Sequence, residues 1–243
     1  MPEVALDVVN ITAGYVPDLP ILRDVSMRAE PGSVTVIIGP NGAGKSTLIK
    51  AIAGIVPVSA GQVRLAGRDI THIRPDQMAA HSIAYVPQTD NIFRSLSVRQ
   101  NLDLALRRED GKAARLAKLL VQFPALADRL EDRADALSGG QRQFLAVAMA
   151  LATSPELLLL DEPSAGLSPK AAQEVLGLAR GLTETGVTIV MVEQNVNQAL
   201  SMADHCYILA EGRNQLDGKA DELLNNSVVA DIYLGGKRLR AGT

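Results

Sequence analysis

Residues Val34–Ile38 are all β-branched and run without a break into Gly39, Pro40, Asn41, Gly42, Ala43, Gly44, Lys45, Ser46 and Thr47. Such a run reads as a buried strand. The stretch Ser46–Ala53 that follows has helical spacing and stops at Gly54 and Pro57. Nothing else in the chain constrains it as tightly. The pattern G-x-x-x-x-G-K-[ST] between a strand and a helix makes a loop whose backbone N–H groups turn inward around a phosphate. The helix N-terminus adds partial positive charge at the same point. Lys45 then supplies a mobile cation for the β- and γ-phosphates, Ser46 a hydroxyl for Mg²⁺, and Thr47 a bond to the α-phosphate. The chain is expected to bind a nucleoside triphosphate.

Around this element short apolar runs alternate with helical stretches, the pattern of an α/β protein. Leu6–Ile11 and Val25–Ala29 read as early strands, followed by a turn at Pro31-Gly32. Gln62–Leu65, turning at Gly67-Arg68, reads as a hairpin arm. Ile83–Val86, Leu157–Asp161, Thr188–Val192 and His205–Ala210 read as further strands, most of them buried on both faces. From Thr89 to about Phe144 strand signals vanish. There Val98–Arg108, with Ser97 as its N-cap, and Lys112–Phe123, ending in a turn at Pro124, predict a mostly helical insert. The expected division is one unit over residues 1–243, with a core of 1–88 and 145–243 interrupted by a helical subdomain at 89–144. Each chemistry-bearing motif occurs once, so the chain reads as a single unit and not a fused pair.

Composition bounds the function classes. The aromatic share is 3% with no Trp, so Leu, Val, Ile and Ala must build the core. A net charge of −3 argues against broad electrostatic binding to nucleic acid or anionic lipid, and Lys237, Arg238 and Arg240 make too short a basic tail to change that. The longest uninterrupted apolar run, Phe144–Ala152, falls well below the ~18 residues a membrane-crossing helix needs. The N-terminal Met-Pro-Glu-Val lacks the basic start and apolar stretch of a leader. A soluble intracellular chain is expected, with any membrane role coming through a partner. The single Cys206 excludes an internal disulfide and a multi-thiolate zinc site, and reads as a small apolar filler in a strand. His72, His81 and His205 show no metal-ligand spacing.

Two further motifs carry chemistry. The apolar strand Leu157–Asp161 ends in Asp161 and Glu162. Asp161 is suited to hold Mg²⁺, directly or through water, and Glu162 to orient and deprotonate an attacking water. In Leu137-Ser-Gly-Gly-Gln141, Ser138 caps a helix whose N-terminus, bared by Gly139 and Gly140, can receive a phosphate. Alone, the first motif is equally a strand ending in two solvated acids, and the second a loop-to-helix start beneath the apolar helix Gln143–Thr153.

Phosphate loop, pentapeptide and Leu-Asp-Glu follow one another in the order found in ATP-binding cassette (ABC) proteins, which the chain resembles from Leu6 to Gly236. The resemblance implies a P-loop NTPase (RecA-like) core, an N-terminal antiparallel β subdomain, an inserted α-helical subdomain and an ABC-type ATPase using ATP and Mg²⁺. It implies that Ser138, Gly139, Gly140 and Gln141 contact the γ-phosphate side of a partner's ATP, so that two cassettes clamp two ATPs head to tail. It places Tyr15 against adenine. It matches Gln88 to the Mg²⁺-contacting glutamine that joins core to insert, a residue whose position alone would mean nothing. After Thr188–Val192 the family usually has a γ-phosphate-sensing His. Here the chain reads Glu193-Gln194-Asn195, and Gln194 can donate a hydrogen bond but cannot become cationic. In Ser164-Ala-Gly-Leu-Ser168 the family's usual Asp is Ser168, which with Pro169 makes a helix start in any case. Lys45, Glu162 and Gln194 are the expected catalytic groups.

Glu193-Gln-Asn195, Gly166-Leu-Ser-Pro169, Ile92-Phe93, Leu96-Ser-Val98, Asn101-Leu102 and Tyr233-Leu-Gly-Gly236 resemble one branch of the family. It is the shorter ATPase subunit of branched-chain amino acid importers, a branch shared with urea and amide importers. The resemblance implies a bacterial protein on the cytoplasmic face of the inner membrane, held there by two transmembrane permease subunits. It also implies a second paralogous ATPase or a second copy of this chain, a substrate-binding protein that delivers the solute, and no nucleic acid. Thr89–Gln100 would transmit motion to the permeases. Two other readings stay open: a nucleotide-gated module that hydrolyses weakly because Gln194 replaces His, and the ATPase of an exporter.

Overall fold

The computed structural model describes residues 5–107 and 109–224. Met-Pro-Glu-Val at 1–4, Arg108, Tyr233-Leu-Gly-Gly236 and the basic Lys237, Arg238 and Arg240 lie outside the described residues. The chain order begins β1 (Leu6–Ala13), β2 (Leu22–Ala29), β3 (Val34–Ile38), α1 (Lys45–Ile52), β4 (Val58–Leu65), β5 (Arg68–Asp69) and β6 (Ile83–Val86). Four helices follow, α2 (Val98–Ala105), α3 (Lys112–Gln122), α4 (Pro124–Ala127) and α5 (Gly139–Leu151). The chain continues with β7 (Leu157–Asp161), α6 (Pro169–Thr183), β8 (Thr188–Val192), α7 (Val196–Met202), β9 (His205–Ala210), β10 (Arg213–Lys219) and α8 (Ala220–Leu224).

These strands form two sheets. Four antiparallel strands run in the order β2-β1-β4-β5, and six run in the order β10-β9-β3-β8-β7-β6. In the larger sheet only β10 is antiparallel to its neighbour. Strand burial follows from what covers each face. β3, β7 and β8 are buried at every position because both faces are covered, whereas β1 and β2 alternate buried and exposed residues. Along β3, Val34, Val36 and Ile38 join an apolar cluster with the helical side, including Val98, Leu102, Leu145 and Leu176. Ile37 points the other way, into a cluster shared with α1 and the antiparallel sheet, including Leu48, Ile49, Val8 and Val63. The expected α/β core, antiparallel β layer and helical stretch are present.

Several element boundaries differ from the sequence reading. The arm expected at Gln62–Leu65 is the end of a longer strand from Val58, paired with β1. β10 was not expected: its seven residues, RNQLDGK, carry one aliphatic side chain, and it is held as an edge strand by β9. α5 begins at Gly139, four residues before the helix start expected at Gln143, because Ser138 caps it there. α2 ends at Ala105, and Phe123 falls outside α3 with φ −123°, away from the helical region that a following proline disfavours. Among the described residues no helix is long and apolar enough to cross a membrane.

Candidate active site

β3, β8, β7 and β6 are consecutive neighbours in the sheet, so the loops leaving their carboxyl ends lie side by side, where open α/β sheets form a crevice. The loop after β3 ends at Gly44, which has φ 97° and is the N-cap of α1. A side chain there would be strained, and glycine leaves the first N–H groups of α1 without a side-chain cap. The Lys45 ammonium folds over the loop and donates to the carbonyls of Gly39 at 2.8 Å and Pro40 at 3.2 Å. Burial lowers its pKa below the usual lysine value, against the raising pull of the Glu162 and Asp161 carboxylates. Gly212, in the turn between β9 and β10, braces the loop from outside: its N–H donates to Ala43 O at 3.0 Å, and its carbonyl accepts from Arg23 N–H at 2.8 Å. A Cβ on Gly212 would lie 1.8 Å from Ile21 O.

The buried β7 delivers Asp161 and Glu162, exposed by only 3% and 7%. Ser46 Oγ donates to Asp161 Oδ1 at 2.8 Å, and the Tyr85 hydroxyl donates to Asp161 Oδ2 at 3.2 Å. Burial and the Asp161 charge both raise the Tyr85 pKa, so its hydroxyl keeps its proton. Glu162 sits in the left-handed region at φ 50°, with its N–H donating to Val192 O at 3.0 Å. This turn aims its carboxylate between two loops. Glu162 Oε2 accepts hydrogen bonds from Gln88 Nε2 and Gln194 Nε2, both at 2.7 Å.

The structure therefore brings Lys45, Ser46, Gln88, Asp161, Glu162 and Gln194 together. The hydroxyl, carboxylate and amide oxygens of Ser46, Asp161 and Gln88 form a hard-oxygen set that suits Mg²⁺. Among the described residues no three His, Cys, Asp or Glu side chains cluster as a metal site, so waters and phosphate oxygens would complete the shell. Tyr15 is 54% exposed in the connection between β1 and β2, whose far end, Ile21 and Leu22, packs on Gly44. Ser138, Gly139, Gly140 and Gln141 stand apart from this group. Ser138 Oγ accepts from Gln141 N–H at 3.3 Å, Gln141 Oε1 accepts from Ser138 N–H at 3.0 Å, and the glycines pack on Leu167 and Ala171. Ser168 Oγ accepts from Ala171 N–H and Pro169 follows at the first helical position, the helix start read from the sequence.

Sequence reasoning missed Tyr85, Gly212 and the buried Glu193. Tyr85 offered one signal, a polar aromatic in an otherwise aliphatic strand of a chain poor in aromatics. Cys206 is buried in β9, where burial pushes its thiol up to about 12, as a filler residue requires. His205 contacts Asp217 at 3.0 Å, and its ring lies tilted against Tyr207 with centroids 4.9 Å apart.

A family model described as ABC transporter matches residues 22–165. The probable branched-chain amino acid transport ATP-binding protein LivF of Archaeoglobus fulgidus is 42% identical, over 95% of this chain and 98% of its own length. The high-affinity branched-chain amino acid transport ATP-binding protein BraG of Pseudomonas aeruginosa is 39% identical, over 91% and 96%. The lipopolysaccharide export system ATP-binding protein LptB of Escherichia coli K12 is 34% identical, over 88% and 91%. Among solved structures, a nucleotide-free ATP-binding cassette from an ABC transporter superposes with a TM-score of 0.86 at 28% identity, covering 96% of this chain and 99% of that one. The ADP conformation of MJ1267, another such cassette, gives 0.84 at 28% identity with the same coverage. With these matches added to the glycine loop, the paired carboxylates and the Ser138–Gln141 helix start, the chain belongs to the ABC transporter family and is an ATPase of it.

Proposed function

We propose that this chain is the ATP-binding and ATP-hydrolysing subunit of an importer of branched-chain amino acids or a related small polar solute. The observation that carries the reading is Glu162, a nearly buried carboxylate aimed between two amide donors, with Lys45, Ser46 and Asp161 at the same end of the sheet. The backbone of Gly39, Pro40, Asn41, Gly42, Ala43 and Gly44 cradles the β-phosphate, and Lys45 exchanges its two loop carbonyls for β- and γ-phosphate oxygens. Thr47 reaches the α-phosphate, and Tyr15 covers the adenine. Ser46, Asp161 and Gln88 would hold Mg²⁺, which would neutralise charge on the β- and γ-phosphates.

Glu162 accepts the proton of the attacking water. The Gln88 and Gln194 amides that donate to its Oε2 orient the carboxylate toward that water. Gln194 already holds the base through a neutral amide, a task that needs no positive charge, and this favours hydrolysis over a nucleotide-gated module. Ser138, Gly139, Gly140 and Gln141 serve the ATP of a second cassette, either a paralogue or another copy. Residues 89–144 form the helical subdomain of a single 1–243 cassette, and Thr89–Gln100 couples it to two permeases on the cytoplasmic side of the inner membrane. A substrate-binding protein delivers the solute.

The relatives of 42% and 39% identity support import, while the lipopolysaccharide export relative at 34% supports an exporter as the second reading. Native co-purification in mild detergent separates them. Two distinct permeases and a second cassette ATPase are expected. A lone exporter-type permease overturns import, and recovery with ribosomes or nucleic acid overturns the transporter reading. Glu162→Gln is expected to lower turnover by roughly 10²–10⁴-fold while ATP binding persists and a closed pair accumulates. Undiminished turnover removes Glu162 from the base role.

A further inference from the structure

Glu193 is 1% exposed, yet it directly follows β8 as a carboxylate buried away from any cation that could pair with it among the described residues. An acid in such a place is costly unless hydrogen bonds compensate. Here the compensation comes from one residue. Ser164 N–H donates to Glu193 Oε1 at 3.1 Å, and Ser164 Oγ donates to Glu193 Oε2 at 2.8 Å. Burial raises the carboxyl pKa, while these bonds and the Gln194 N–H oppose the rise.

The two residues joined this way stand beside the reacting groups. Ser164 follows Glu162 by two positions, on the far side of its left-handed turn. Glu193 immediately precedes Gln194, whose amide donates to Glu162. The backbone is tied along the same line, with Glu162 N–H donating to Val192 O at 3.0 Å and Glu193 N–H to Ile37 O at 3.2 Å. At the other end of the Ser164 loop, Leu167 N–H donates to Ser164 O at 3.2 Å, and Leu167 Cδ2 packs against Gly139 at the start of α5. A leucine of similar size at 193 would fill the space without ionic cost, but it would leave the Ser164 N–H without its acceptor.

We propose that Glu193 is a positioning residue for the base: it locks the 163–168 loop to the 193–195 loop, so that displacement at Leu167 reaches Gln194 and Glu162 as one movement. The inference rests on the reading of Glu162 as base. Coupling of this kind is demonstrated by non-additivity and not by proximity.

The test measures ATP turnover in the complex that co-purifies with the full chain, and ATP binding by the purified chain. Glu193→Leu and Ser164→Ala are each expected to lower kcat about ten-fold, the scale of a lost hydrogen bond to a charged group, with KM for ATP within about two-fold. The double variant is expected to be no worse than the poorer single. Glu193→Gln, whose amide can still accept from Ser164 N–H and donate to Ser164 Oγ, is expected to restore most of kcat. In hydrogen exchange, the Ser164 amide is expected to lose protection in Glu193→Leu and keep it in Glu193→Gln. Additive losses, a parallel fall in ATP affinity, or Glu193→Gln as impaired as Glu193→Leu would each overturn the lock. If Glu193→Leu does not fold, Ser164→Ala decides alone: unchanged kcat overturns the proposal. Failure of the underlying reading is distinct, because it appears as undiminished turnover in Glu162→Gln.

Discussion

Two helices of this protein begin in glycine-rich segments, and they begin differently. α1 starts behind Gly44, in a left-handed conformation with no side-chain cap, and the next residue is a buried lysine bonded to the loop's own carbonyls. α5 starts behind Ser138, which closes a reciprocal capping box with Gln141. The first start is held together by groups that a phosphate can replace one for one. The second is already satisfied at its third position and leaves only the amides of Gly139 and Gly140 for a visitor. On the proposed function, α1 takes a nucleotide within one chain, while the capped start of α5 would meet the ligand of a second cassette.

Lys45→Ala attacks the first start and should have the largest effect. ATP turnover should fall to background, with ATP affinity weakened by roughly 10- to 100-fold, measured by equilibrium binding. Ser138→Ala attacks the second. Loss of the cap should cost about 1 kcal/mol in denaturant unfolding. The single chain should still bind ATP normally while turnover of the assembled pair falls, and equal weakening of ATP binding by both variants would erase the distinction between the two starts. Tyr85→Phe belongs to the α1 side alone. It removes one donor from Asp161, so the Mg²⁺ concentration for half-maximal turnover should rise a few-fold, with nucleotide binding in chelator unchanged. The smallest expected effect is at Cys206, whose buried thiol, pushed up to about 12, should resist alkylation in all three variants until they unfold. Rapid labelling would mean that a variant had loosened the sheet instead of the site.

The α1 side was legible in sequence because its information is local. A β-branched strand, a glycine loop and Lys45 occupy neighbouring positions, and β7 announces its two carboxylates by an unbroken leucine run. Gln88 and Gln194 were found only by resemblance, since each acts on Glu162 across a wide sequence gap. Tyr85 and Glu193 escaped for the same reason: their partners, Asp161 and Ser164, become neighbours only when β6, β7 and β8 align. β10 escaped for another. Propensity favours apolar β-branched residues, and an edge strand is held by backbone pairing that its side chains do not advertise.

That same strand has a consequence for assembly. Sheets grow by edge-to-edge pairing, and an exposed apolar border invites a neighbour's strand. β10 borders the six-stranded sheet with Arg213, Gln215, Asp217 and Lys219 at its exposed positions, so this border offers a foreign strand charge and hydration in place of a greasy template. A cassette that pairs with a second one through loops and helix starts, as proposed, gains from a border that declines strand pairing. Strand addition along this border is thereby disfavoured, whatever contacts the loops and helix starts make.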